Sequence, residues 1–201
     1  MLLHAFIPAS RANGPRLRSV VFFQGCTLGC EHCFNPDSHA FSGAEFTIQA
    51  VAERVLQAHQ EHGTEGVTFS GGEPMQQADS LLPLIQSLRQ QAPELSFGMF
   101  SGYTEYELAK GRHWIWGDGS SEQHRRRLWQ ETRGCLDFAI LGRFNEAQPS
   151  VLPLRTTRNQ VLRLFSRRYT PADFSEELTD ISIKEGGRVE VTGFPTRGLP
   201  W

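Results

Sequence analysis

Three of the four cysteines in this 201-residue chain lie within eight positions, as Cys26-Thr-Leu-Gly-Cys30-Glu-His-Cys33. Thiolates are soft ligands that select iron–sulfur clusters, zinc or copper(I), so three on one short loop can converge on a single centre. A cubane [4Fe-4S] cluster ordinarily takes four cysteines. A loop that offers three leaves one iron open to a small molecule, which suggests catalysis rather than electron carriage. The spacing alone also admits a structural Cys3His zinc site completed by His32 or His39. A disulfide framework is disfavoured, because three close cysteines leave an odd thiol and nothing marks secretion.

A second segment with chemical capacity, Ser70-Gly71-Gly72-Glu73-Pro74, follows roughly forty residues later. Absent side chains at Gly71 and Gly72 let backbone approach a ligand and permit positive φ. Glu73 can accept from a cationic amine in a charge-assisted bond; the plain alternative is a turn carboxylate. Ser101-Gly-Tyr103-Thr104 either lines a pocket or is simply the turn into a helix. Asp137 reads as an edge-exposed carboxylate, Cys135 as a packed free thiol, and His124-Arg-Arg-Arg127 as a solvated helix face.

The elements that must position these groups alternate in type. Leu2 to Ile7 and Ser19 to Gln24 read as strands around a turn-rich Ser10–Pro15. Val20-Val-Phe-Phe23 is a continuous apolar run, the pattern of a strand buried on both faces of a mainly parallel sheet. Thr47 is placed to cap a helix with Ile48, Val51, Ala52, Val55 and Leu56 inward and Gly63 as its stop. Gly66 to Ser70 is the next strand. A helix with Leu81, Leu82, Leu84, Ile85 and Leu88 inward follows, in which Pro83 is tolerable only near the first turn. Leu95 to Phe100 and Leu136 to Leu141 are further strands. Strand alternating with helix predicts parallel βαβ units with right-handed crossovers, and ligands then bind at the carboxyl ends of the strands. Residues 181–192 alternate around Glu-Gly-Gly as a β-hairpin does.

Together and in this order, the cysteine loop with Phe34-Asn35-Pro36 after it and the Ser70–Pro74 segment resemble the radical S-adenosylmethionine (SAM) superfamily. Within it they are most similar to the activating proteins of anaerobic ribonucleotide reductase, from about Val20 to about Leu164. The resemblance implies a partial (βα) barrel of mainly parallel strands, here an α/β core over 1–165 with a C-terminal β-hairpin extension over 166–201. It implies a [4Fe-4S] cluster on Cys26, Cys30 and Cys33, with SAM contacted by His32, Phe34, Ser70, Gly71, Gly72, Glu73, Pro74, Ser101 and Tyr103. The product would be a 5'-deoxyadenosyl radical that makes a glycyl radical on a partner enzyme, anaerobic ribonucleotide reductase before others. A low-potential donor such as flavodoxin or ferredoxin would reduce the cluster. Leu154-Arg-Thr-Thr-Arg-Asn-Gln-Val161 resembles the family's Arg-Gly-Ser-Ser-Asn-Gln tail: Arg155, Asn159 and Gln160 match, while Thr156 replaces the glycine and Thr157 and Arg158 the serines. Two other readings stay open: hydrogen abstraction from a small molecule or peptide, and a non-catalytic zinc or iron–sulfur interaction module.

Composition bounds the rest. A chain this long forms one domain by default. A formal charge of −2 and a pI near 6.4 give no case for nucleic acid. Basic residues are 18 Arg to 2 Lys, which genome base composition explains as readily as anion recognition. The apolar Met1–Pro8 run lacks a basic flank and a cleavage site, and no run reaches the ~18 apolar residues of a membrane span. A cytoplasmic protein is expected.

Overall fold

The computed structural model describes residues 1–117, 119–175, 179–183 and 189–193. Six strands form one sheet in the order β1 (Leu3–Ser10), β2 (Arg18–Phe23), β3 (Gly66–Gly71), β4 (Ser96–Ser101), β5 (Phe138–Leu141) and β6 (Val161–Leu164). Strands β2 to β5 run parallel, and β1 and β6 pair antiparallel at the edges. The chain is therefore a mixed α/β protein with a mostly parallel central sheet.

The helices start and stop where side chains dictate. Helix α1 (Ile48–His62) begins at Thr47, whose hydroxyl accepts from the Ala50 N–H, and ends at Gly63 with φ 66°. Val51, Ala52, Val55 and Ala58 are its buried face. Helix α2 (Ala78–Gln91) follows a 3-10 turn over Pro74–Gln77 and holds Pro83 at its sixth residue, one turn later than expected. Proline has no N–H for the bond to the Asp79 carbonyl. Burial of Leu81, Leu82, Leu84, Ile85 and Leu88, each at most 5% exposed, is worth roughly 1.5–3 kcal/mol per side chain and outweighs that loss. After α3 (Glu105–Ala109), helix α4 (Glu122–Cys135) is polar outside and buries Leu128 and Trp129. Its Arg126 and Arg127 are exposed as expected, whereas Arg125 Nε donates to the Gly111 carbonyl at 2.7 Å.

The two sheet faces differ. Val21, Phe23, Val67, Phe69, Phe97, Met99, Ala139 and Leu141 form the main core with α1, α2 and α4. The alternate positions form a smaller cluster, Phe138 and Ile140 with Leu154, Tyr169 and Phe174. Toward the amino ends of the strands this second face turns polar. Arg18 is fully buried there: its Nε donates to Thr68 Oγ1, Nη1 to Ser96 Oγ, Tyr169 Oη and the Pro15 carbonyl, and Nη2 to the Val67 and Ser96 carbonyls. Gly66 makes room, since a Cβ on it would stand 2.6 Å from Arg18 Nη1.

Asp137 overturns its sequence reading. It is only 6% exposed, with Oδ2 accepting from the Phe97 N–H at 2.8 Å and Oδ1 from the Ser166 hydroxyl at 2.6 Å. Standing just before β5, it joins β4 to the chain returning from β6. Cys135 packs half-buried against the core as a free thiol. Strands β7 (Thr179–Ile183) and β8 (Val189–Gly193) pair antiparallel; the turn expected at Glu185-Gly-Gly lies outside the described residues. Asp180 Oδ2 accepts from the Ser10 hydroxyl at 2.6 Å and the Arg11 N–H at 2.8 Å, tying β7 to the turn after β1. No helix among the described residues is long and apolar enough to cross a membrane.

Candidate functional site

Because β2 to β5 are parallel, the loops leaving their carboxyl ends share one edge: residues 24–35 after β2, 72–77 after β3, 102–104 after β4 and 142–144 after β5. Backbone bonds strap the first loop at its base. Gly25 N donates to the Ser38 carbonyl (2.7 Å), Cys26 N to His39 (2.9 Å) and Glu73 N to Gly25 (2.9 Å). Gly71 has φ 97° with β2 backbone 2.6 Å from where a Cβ would stand, and a Cβ on Gly72 would lie 2.4 Å from the Gly25 carbonyl oxygen. The two glycines thus serve the approach of one loop to the other, a reason separate from the ligand contact expected of them.

Cys26, Cys30 and Cys33 are half-buried and unpaired. Burial pushes the Cys26 thiol up to about 12, and the charges of Glu73, Cys30 and Cys33 add to the rise. Cys30 is raised too, by burial first, while a backbone hydrogen bond from Phe144 and the Arg143 charge pull it back. Cys26 and Cys30 thus resist ionisation, and a metal cation at the loop would favour their thiolates. Among the described residues no three His, Cys, Asp or Glu side chains close tightly enough to hold one metal ion. Three soft thiolate donors on one loop fit an iron–sulfur cluster with one iron left for a ligand.

Glu73 is fully buried and joins two loops. Its Oε1 accepts from the Met75 N–H at 2.9 Å and the Ser101 hydroxyl at 2.8 Å, and Oε2 from the Gly102 N–H at 2.7 Å. Burial raises its carboxyl to about 7 against the pull of those donors. One lone pair of Oε2 is left for a further donor. Ser70 is the last but one residue of β3, opposite Phe22, and Pro74 opens the buried 3-10 turn.

Gln76, which the sequence reading passed over, links the loops. Its amide donates to Thr27 Oγ1 at 2.7 Å and to the Tyr103 hydroxyl at 2.8 Å, and its Oε1 accepts from the Thr27 N–H at 3.0 Å. Tyr103 also accepts from the Trp114 N–H at 3.1 Å. Leu28 of the cysteine loop packs onto Gly102. His32 and Phe34 are less engaged. His32, at φ 53°, keeps its side chain 64% exposed, 3.7 Å from Glu31 and Glu146; Phe34 is half-exposed with its ring 4.8 Å from that of Phe144.

Arg143 is the second residue missed. Its guanidinium lies 5.6 Å over the Tyr103 ring, bonds Glu107 at 2.9 Å, and extends its charge to Cys30. The tail motif holds this loop in place: Asn159 Nδ2 donates to the Arg143 carbonyl at 2.7 Å and Gln160 Nε2 to the Gly142 carbonyl at 3.3 Å. Thr156, the residue in place of the family's glycine, donates to Gln160 Oε1 at 3.1 Å. The altered motif therefore still makes its clasp. A sequence signal existed in Asn159-Gln160 itself, which names the clasp without naming what it grips.

The family model of the 4Fe-4S single cluster domain matches residues 12–163, three-quarters of the chain. This protein belongs to that family. Among curated relatives, a pyruvate formate-lyase-activating enzyme of Clostridium pasteurianum is 33% identical over 109 residues, covering 52% of this chain and 46% of its own length. Anaerobic ribonucleoside-triphosphate reductase-activating proteins match more of the chain. That of Vibrio cholerae is 28% identical over 172 residues (83% of this chain, 99% of the relative), and that of Haemophilus influenzae 26% over 166 residues (80% and 96%). The chain thus spans about half of the first relative and nearly all of the other two.

Proposed function

We propose that this iron–sulfur enzyme, of the glycyl-radical-activating type to which its relatives belong, activates an anaerobic ribonucleotide reductase with a [4Fe-4S] cluster and SAM. The observation that carries the reading is the juxtaposition, at one sheet edge, of three free thiols with a buried carboxylate and a guanidinium. Cys26, Cys30 and Cys33 would hold three irons. A cluster held there would supply the electron for reductive cleavage of SAM to methionine and a 5'-deoxyadenosyl radical.

The protein's own part is to bind and orient. The remaining lone pair of Glu73 suits the SAM ammonium and Arg143 suits its carboxylate, charge-assisted bonds of opposite sign. Ser70 to Pro74, Ser101 and Tyr103 would line the methionine side, and His32 and Phe34 the rim toward adenine. The sheet is read as a partial (βα) barrel, with residues 1–165 as core and 166–201 as an extension packed on it, and the Asp180 tie supports that packing. The reductase as partner is supported by near-complete coverage of the reductase-activating relatives and by the tail clasp. A flavodoxin- or ferredoxin-like donor and a reducing cytoplasm fit four unpaired thiols.

The test is to reconstitute the protein anaerobically, reduce it, and assay 5'-deoxyadenosine from SAM beside Cys30→Ala, then look for a glycyl radical by electron paramagnetic resonance on the purified reductase of the same genome. Cysteine-dependent deoxyadenosine together with the radical is expected. An intact, reducible cluster whose spectrum SAM leaves unchanged would refute the assignment.

A further inference from the structure

The segment from Gly111 to Gly117 alternates. His113 and Ile115 are 3% and 2% exposed, whereas Trp114 and Trp116 are 41% and 37% exposed. The inward pair anchors the segment, His113 edge-on to Tyr103 at 5.7 Å, so the indoles are presented outward from a fixed backbone. Between them sits Phe41, 5.1 Å from the Trp114 ring and stacked on that of Trp116 at 5.7 Å and 23°. The result is an aromatic shelf. Elsewhere the chain buries such a ring: Trp129 of α4 is 1% exposed.

The shelf is continuous with the cysteine loop. The Phe41 ring covers Gly25, the residue before Cys26, where a Cβ would meet it at 2.4 Å. Trp116 N donates to the Gln76 carbonyl at 2.8 Å and Trp114 N to the Tyr103 hydroxyl at 3.1 Å, and the Gln76 amide in turn bonds both Tyr103 and Thr27. Anything seated on the indoles therefore abuts the loop that carries the thiols.

We infer that Phe41, Trp114 and Trp116 form the subsite that seats the glycine-bearing segment of the protein substrate; this rests on the activating function proposed above. A glycine offers no side chain at the reacting carbon, so its placement must come from contacts to flanking backbone and apolar groups. Indole faces supply large, rigid, uncharged area for peptide planes, and tryptophans are the residues that dominate such interfaces. Binding drawn from these remote contacts serves orientation at the reacting carbon. The three rings carry no charge, which suits an uncharged extended peptide over an anionic metabolite.

The test compares wild type, Trp114→Ala, Trp116→Ala and Trp116→Phe in two assays on the reconstituted enzyme: deoxyadenosine formed without reductase, and glycyl radical formed on the purified reductase over a range of its concentrations. Both alanine variants are expected to keep the first, and to need about tenfold more reductase for half-maximal radical, with Trp116→Phe recovering most of the loss. A synthetic peptide spanning the reductase glycine loop should inhibit wild type and fail against the alanine variants. Unchanged half-saturation in both alanine variants would overturn the inference while leaving the function standing. Deoxyadenosine without any radical on the reductase would overturn the partner reading, and this one with it. A wild-type dimer that the alanine variants convert to monomer would give the shelf to a second copy instead.

Discussion

The two ends of the parallel strands each hold a charge away from water, in opposite ways. At the amino end all three nitrogens of Arg18 have acceptors, and Asp137 nearby is fastened by Phe97 and Ser166. At the carboxyl end Glu73 is as deeply buried, yet retains an unfilled lone pair and a carboxyl raised to about 7. His113 has no hydrogen-bond partner on either ring nitrogen among the described residues. A saturated polar network is scaffold; one with residual capacity is where a ligand can add something.

The sharpest break between the ends is between Cys30→Ala and Arg18→Met. The first should abolish cluster iron and deoxyadenosine formation and leave the melting temperature of the apo chain unchanged; a structural metal module would instead lose its fold. The second should cost about 3 kcal/mol in urea unfolding, through lost packing and acceptors left unpaired, with activity per folded molecule retained.

A smaller effect concerns His113. Burial, with the Arg125 charge second, pushes its imidazole down to about 4. The unfolded chain therefore takes up this proton first, near the ordinary 6.5, and folding stability must fall as pH drops from there toward 4. His113→Phe should remove about 2 kcal/mol of that pH dependence, read from unfolding curves at pH 4.5 and 7.

Glu73 has the opposite sign. With its folded pKa raised from 4.5 to about 7, the folded chain holds the proton longer, so its contribution to stability is full below the ordinary value and is lost as pH rises through 7. Binding an ammonium needs the carboxylate, so SAM cleavage should climb through pH 7. Glu73→Gln should flatten that climb and lower kcat/KM about tenfold at pH 8 with cluster content intact.

Local signals in the sequence were read correctly. The Thr47 cap, the Gly63 stop and the apolar run of β2 each depend on near neighbours in the chain. What escaped was set by distant partners. Arg18 looked like a residue before a strand because Thr68, Ser96 and Tyr169 stand 50, 78 and 151 residues away. Asp137 looked exposed because β-alternation does not reveal that the neighbouring strand β4 offers its Phe97 N–H. Pro83 fell a turn deeper because the helix opens at Ala78, directly after the 3-10 turn and five residues before the proline. Gln76 and Arg143 belong to no motif that the resemblance carried, and only the folded loops show what they touch.

The single amide of Gln76 has a consequence for cooperativity. It grips Thr27 on the cysteine loop and Tyr103 beside the indoles, so the two cannot shift independently. Coupling of this kind is reciprocal: by whatever factor SAM bound at the cluster tightens the grip on a docked protein, the docked protein tightens the grip on SAM. The enzyme alone would then hold its cofactor more loosely and cleave it more slowly than in company, so that the radical forms chiefly where something is present to receive it.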